Sequence, residues 1–182
     1  GLFSHGGLAC TLCYGMVIGI ISLLAFLTIP YMELTKEGIP ITIQNLEKIL
    51  RLEPVLFRAQ THAFTVLGMS QLMHAIGMRD VNKSVFKMKH MDNPYMLLAW
   101  GVGIVLQALV TEIPYFVSLF GTSRLSLSEW LTLGALSSMP LLIHELLVLS
   151  EALQKGAGEI SLKKAAEGEN HKNESPQPGE AV

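Results

Sequence analysis

The chain has 182 residues, 50% of them hydrophobic and 15% charged, with a mean hydropathy of +0.43. A composition this apolar argues against a soluble domain and for a protein that crosses a membrane several times. The formal net charge of -2 gives no basic footprint for nucleic acid, and the charges collect between apolar runs and in the C-terminal tail. Residue 1 is Gly and no basic segment precedes the first apolar run, so no cleavable signal peptide is expected and the chain reads as starting inside a longer one.

The first apolar run, Leu8 to Pro30, carries no charge. Thr11, Gly15, Gly19 and Ser22 recur at helical spacing, and Gly15-x-x-x-Gly19 admits close approach of another helix. Pro30 is expected to end it. Cys10 and Cys13 form a C-x-x-C at its head. Near a βαβ pattern such a pair would signal redox chemistry. Heading a membrane run, it reads as two small apolar side chains on one helix face. No second Cys or His pair lies at zinc spacing. Tyr31 to Phe57 is mixed and broken by Gly38 and Pro40, with Ile43 to Leu52 as a short amphipathic helix presenting Leu46, Ile49 and Leu50 on one side.

The second run, Ala59 to Met78, holds no charged side chain and has about the ~20 residues a bilayer span needs. Yet it contains His62, Ser70, Gln71 and His74. Polar groups are costly in hydrocarbon, so on a spanning helix they face other helices or water. At ~100° per residue, Thr61, Thr65, Gly68, Leu72 and Ala75 form one stripe, and Ser70, Gln71 and His74 the adjoining one. These groups either join helices or serve a function.

Arg79 to Asn93 sets Arg79, Lys83, Lys87 and Lys89 against Asp80 and Asp92, a short basic loop that reads as cytoplasmic. The third run, Pro94 to Thr111, begins with a proline suited to a first helical turn. Ala99, Gly103, Gln107 and Thr111 share one face of it. Glu112 and Pro114 close it, and Tyr115 to Ser128 reads as a loop with Ser128 capping the next helix ahead of Glu129. In the fourth run, Glu129 to Leu149, Pro140 should kink the helix and free a carbonyl that Ser137 and Ser138 are placed to satisfy. His144 and Glu145 lie near its inner end, open to a metal or proton role or to an interfacial one. The expected fold is an all-α membrane protein, a four-transmembrane-helix bundle over residues 1–150 with a polar, disordered tail over 151–182.

Two stretches also carry a family likeness. THAFTVLGMSQLMHAIGM followed by NKSVF (Asn82 to Phe86) resembles the eighth transmembrane helix and next loop of P-type cation pumps, most of all bacterial calcium-transporting ATPases. LSLSEWL (Leu125 to Leu131) and HELLVL (His144 to Leu149) resemble the start and end of the tenth helix. The likeness covers roughly residues 1 to 150 in order. It implies spans seven to ten of a ten-span pump, with ATP and Mg²⁺ handled elsewhere and Ca²⁺ as the cargo. The implied partners are the lipid bilayer and the remaining helices and cytoplasmic domains, with no nucleic acid. The implied location is a multi-pass protein of a bacterial plasma membrane with both termini cytoplasmic. The DKTGT motif of such pumps is absent here, as are their PEGL-type fourth helix and the fifth and sixth helices that carry most cation ligands. The chain alone is therefore not expected to hydrolyse ATP.

One departure bears on ion handling. Where sarcoplasmic-reticulum-type calcium pumps carry a carboxylate in the eighth helix, the aligned residue is Gln71; where sodium–potassium pumps carry an acid about a turn later, this chain has His74. An amide can offer Ca²⁺ a carbonyl oxygen without the charge that strengthens hard-cation binding. The resemblance thus marks Gln71 as a cation-site contributor. Two other functions compete: an independent four-helix membrane protein with a structural or thiol-redox role for Cys10 and Cys13, and a small transporter, which lacks the deep intramembrane charge it would want. Orientation is testable directly. With Cys10 and Cys13 replaced, a cysteine at Ser84 should resist an impermeant thiol reagent in intact cells, and ready labelling would invert the topology.

Overall fold

A computed structural model describes residues 7–79, 83–87 and 94–154. The tail beyond Gln154, the loop residues Asp80, Asn82, Lys89 and Asp92, and the side chain of Cys10 lie outside the described residues. The described elements are all helical: α1 (Gly7–Lys36), α2 (Ile43–Leu50), α3 (Glu53–Gly77), α4 (Pro94–Glu112), α5 (Pro114–Phe120) and α6 (Leu127–Ser137), with a 3-10 turn at Val85–Lys87. Past a turn at Ser138, α6 runs on as a helix over residues 139–154.

Composition sorts these helices. Three are long and apolar enough to cross a membrane, namely Thr11–Lys36, Pro94–Glu112 and Leu127–Gln154. α3 is 25 residues long, but its polar content keeps it out of that set. Of the four expected spans, three meet that measure of length and hydropathy and α3 does not. The reason is position, because α3 packs against α1, α2, α4 and α6. A helix surrounded by others can carry Thr61, His62, Thr65 and Ser70, all buried, at positions where a lipid-facing helix would need hydrocarbon. The apolar core joins Ile21 and Ala25 of α1, Val66 of α3, and Leu125 and Leu133 at the head of α6, with Trp130 and Leu136 against it.

Several local expectations change. Pro30 lies inside α1, which continues to Lys36. A proline forfeits one backbone bond, and the turn beyond is held because Leu34 is buried at 1% exposure. Gly38, at φ 68°, makes the turn that follows, a left-handed conformation glycine adopts without strain. α2 forms as the amphipathic pattern required, capped by the Thr42 side chain and buried at Ile49. The expected loop after α4 contains the short helix α5, which Pro114 starts and Gly121, at φ 63°, ends. The N-cap of α6 is Ser126, not Ser128, in a capping box with Glu129. The break in α6 falls at Ser138, just ahead of the buried Pro140, and the two serine hydroxyls turn elsewhere than expected. Ser137 Oγ donates to the Leu133 carbonyl at 2.7 Å and Ser138 Oγ to that of Ala135 at 2.7 Å.

The α3–α4 seam follows the two stripes closely. Gln107 Nε2 donates to Thr65 Oγ1 at 3.0 Å, and a Cβ added to Gly68 would sit 2.9 Å from Gln107 Oε1. One turn on, a Cβ on Gly103 would lie 2.7 Å from Leu72 Cδ2. Thr111 is fully buried and donates to the Gln107 carbonyl at 3.1 Å. Ala75 and Ala99, the outer members of the two stripes, are exposed. The α1 stripe behaves differently: Ser22 is buried, but a Cβ added to Gly15 or Gly19 would meet nothing within 4 Å. α1 instead packs through Tyr14, Ile18, Ile21, Ala25 and Ile29. For the seam, Gly103→Ala should be absorbed by rotation of Leu72, while Gly103→Val should cost about 1–3 kcal/mol through overpacking. Adding Leu72→Ala should recover most of that in a denaturant titration in detergent. An equal penalty in both backgrounds would show that the two residues do not meet.

Candidate functional site

Gln71 lies on α3 and is exposed. It shares its arc with Phe64 and Leu67, 46% and 41% exposed, on the side of α3 that the other described helices leave open. Its amide makes no hydrogen bond among the described residues. The adjoining residues diverge from it. Ser70 is fully buried, and its Oγ has no hydrogen-bond partner among the described residues. His74 is half-buried with its ring against Tyr14 of α1, centroids 4.3 Å apart. The stripe of Ser70, Gln71 and His74 is therefore split: two members turn inward and Gln71 outward. Among the described residues, no group of three or more His, Cys, Asp or Glu side chains is placed to hold a metal ion.

Both residues singled out near the inner end of the last run have structural partners. His144 is buried at 4% exposure, and its Nε2 donates to the Lys83 carbonyl at 3.1 Å. The Glu145 carboxylate accepts the Val85 N–H at 2.6 Å. Together they pin the short 3-10 turn after α3 to the last helix, and Gly77 lets the His144 ring approach, since a Cβ there would lie 3.2 Å from its Cγ. Cys13 is a free, exposed cysteine.

The densest polar cluster is one the sequence reading did not assemble. At the end of the bundle where α3 and α6 begin, Arg58 Nη2 and Nε donate to Glu129 Oε1 at 2.6 and 3.2 Å. His62 Nε2 meets the same oxygen at 3.0 Å, which requires a proton on that nitrogen. The other oxygen, Oε2, accepts from Ser126 N and Oγ, both at 2.8 Å. One carboxylate thus caps its own helix and ties α6 to α3. Nearby, Trp130 Nε1 donates to Glu112 Oε1 at 2.9 Å, while Arg124 donates to the Glu112 carbonyl at 3.1 and 3.0 Å, closing the end of α4. The signal was present as Ser126-x-x-Glu129, a capping-box spacing, and as Arg58 directly ahead of an uncharged run.

Glu129→Ala should therefore destabilise the bundle by about 1–3 kcal/mol, since a helix cap alone is worth ~1 and a partly buried pair adds to it. Arg58→Ala should cost less, because its side chain is 49% exposed against 15% for Glu129. Ser126→Ala should cost ~1 kcal/mol and Ser128→Ala within about 0.5. Unfolding midpoints in detergent check the order, and a larger loss at Ser128 than at Ser126 would contradict the cap.

Comparison with known proteins adds to this geometry. A family model described as "Cation transporting ATPase, C-terminus" matches residues 1–149. A "Calcium-transporting ATPase 1" of Bacillus cereus is 30% identical over 138 residues, 75% of this chain and 15% of the relative. An endoplasmic reticulum-type "Calcium-transporting ATPase 4" of Arabidopsis thaliana is 31% identical over 50% of the chain and 8% of the relative. A "Calcium-transporting ATPase 1" of Yarrowia lipolytica is 32% identical over 48% of the chain and 10% of the relative. The chain thus spans under a sixth of the length of these relatives. With its apolar helices, it is a multi-pass membrane protein, and it belongs to the cation-transporting P-type ATPase family, of which it is a C-terminal region.

Proposed function

We propose that this chain forms spans seven to ten of an ATP-driven pump that moves cations, calcium foremost, and serves there as a helical scaffold with a minor contribution to the ion site. Residues 1–150 are the membrane part and 151–182 a cytoplasmic tail. ATP and Mg²⁺ are handled by cytoplasmic domains of the complete pump, in a bacterial plasma membrane. α3, the second span in chain order, completes the four-helix bundle. Its 25 residues rise about 37 Å, beyond the ~30 Å of hydrocarbon. Four spans set both termini on the cytoplasmic side, with the 3-10 turn held by His144 and Glu145. That turn and its basic neighbours make up the cytoplasmic loop.

The observation that carries this reading is the outward amide of Gln71. An exposed amide near the middle of a spanning helix would leave its hydrogen-bonding groups without partners in lipid. It therefore faces protein or an ion path contributed by the rest of the pump, and its carbonyl oxygen suits a hard cation such as Ca²⁺. In the complete pump, Gln71→Glu places a charge at that point. Calcium-dependent phosphorylation should shift its midpoint by about tenfold, ~1.4 kcal/mol, or change the ions bound per phosphoenzyme. If midpoint and stoichiometry stay put while only expression and stability fall, Gln71 is an interhelical contact and the ion-site role is lost.

A further inference from the structure

One large groove lies beside the Arg58–His62–Glu129 cluster. It runs between the C-terminal half of α1 and the first turns of α6, with Arg58 and His62 of α3 in its lining, and encloses about 760 Å³. Ala25, Ile29 and Leu133 form its buried floor, and Thr28, Met32 and Thr132 its walls. The threonines do not make those walls polar. Thr28 Oγ1 donates to the Leu24 carbonyl and Thr132 Oγ1 to that of Ser128, both at 2.8 Å, so their hydroxyl hydrogens are engaged on their own helices. Charge appears only at one end, where Glu33, Lys36, Arg58 and Glu129 form a rim.

Two magnitudes point to the occupant. From Ala25 to Lys36 the helix rises eleven residues, about 16 Å, and one leaflet of a ~30 Å hydrocarbon core is about 15 Å deep. The groove is thus one leaflet long, apolar along its length and charged at the headgroup level. The rim carries two cations and two acids, which balance. Glu129 Oε1 occupies the Nε and one Nη of Arg58, leaving further N–H donors on a guanidinium whose side chain is 49% exposed. Lys36, in the last turn of α1, lines the same groove and is exposed, and Glu33 lies one turn back.

We propose that this groove holds one zwitterionic phospholipid bearing a phosphate and a primary ammonium. An acyl chain lies along Ile29, Met32, Leu133 and Leu136. The phosphate meets Lys36 and Arg58, and the ammonium meets Glu33. Charge complementarity of a balanced rim favours such a headgroup over an anionic one, and the apolar channel favours a whole lipid over a free phosphate ester.

The test uses the full 182-residue chain in phosphatidylcholine vesicles doped with phosphatidylethanolamine that carries a diazirine on its acyl chain. After illumination, labelling is mapped by peptide mass spectrometry. The internal reference is the outer face of α4, where Leu98 and Val102 are 64% and 48% exposed. Labelling at Met32 and Leu136 should exceed that reference by about tenfold, the ratio ~1.4 kcal/mol of preference gives. Lys36→Gln and Met32→Trp, both at exposed positions, should each bring Leu136 down to the reference. Soluble glycerophosphoethanolamine should not compete. Even labelling of both faces would mean ordinary boundary lipid. A labelled α4 with an unlabelled groove would mean that protein, a second copy included, fills it. Competition by the soluble headgroup would mean a phosphate-ester site. Labelling at Leu136 that persists in both variants would place the lipid elsewhere. Each of these four results overturns the proposal.

Discussion

The constraint on which the bundle rests is that polar groups inside a membrane protein must find partners within the protein. α3 is where it acts most strongly. Thr61, Thr65 and Ser70 have no exposed surface, and the first two are satisfied by neighbours: Thr61 Oγ1 accepts the Ser123 N–H at 2.8 Å, and Thr65 Oγ1 accepts from Gln107. Those bonds fix how α4 and the loop before α6 sit on α3. A typical interhelical hydrogen bond of this kind is worth only ~0.6 kcal/mol, so its weight lies in specifying register. The close approaches at Gly68 and Gly103 supply the packing that the same register permits.

The apolar helices meet the same constraint by a local device. Ser22, Thr28, Thr35, Thr132 and Ser137 each donate to the carbonyl four residues back in their own helix, at 2.7 or 2.8 Å. A hydroxyl so engaged costs little in hydrocarbon, and it allows small residues on an apolar surface. This is why α1 and α6 tolerate threonines along the groove between them without turning it polar. Glu129 is the exception that needs a whole cluster. A carboxylate 15% exposed at a helix start takes five hydrogen bonds, from Arg58, His62 and Ser126, and so binds α6 to α3 at one end of the bundle while His144 and Glu145 bind the last helix at the other.

Helical periodicity made much of this legible. The stripe Thr61, Thr65, Gly68 and Leu72 and the stripe Gly103, Gln107 and Thr111 are read from spacing alone, and they meet each other. Partners across long separations were not legible, because nothing local pairs Arg58 with Glu129 or Glu145 with Val85. Pro30 misled because its local penalty is outweighed by burial of the turn beyond it. Ser128 was taken for the cap because two serines stand two residues apart, and only the Glu129 carboxylate folding back selects Ser126. Ser70, Gln71 and His74 looked like one face because their arc spans about 100°. On a helix with neighbours on three sides, an arc that wide straddles the edge of the contact, so one member falls outside.

That edge carries the functional argument further. A bundle sufficient in lipid would turn hydrocarbon outward at every helix, as α4 does with Leu98, Val102 and Val105. Here α1 shows the bare glycines Gly15 and Gly19, and α3 shows the amide of Gln71, with neither engaged by the described helices. Close helix approach gains dispersion contacts at glycines, and an amide gains a bond from a partner, while lipid gives neither in full. Under the proposed reading these surfaces are the faces toward the rest of the pump, and α4 and the outer side of α6 are the faces toward lipid. The interior seams then hold the scaffold rigid, and the open arc of α3 is the part of this chain free to contribute to what the pump binds.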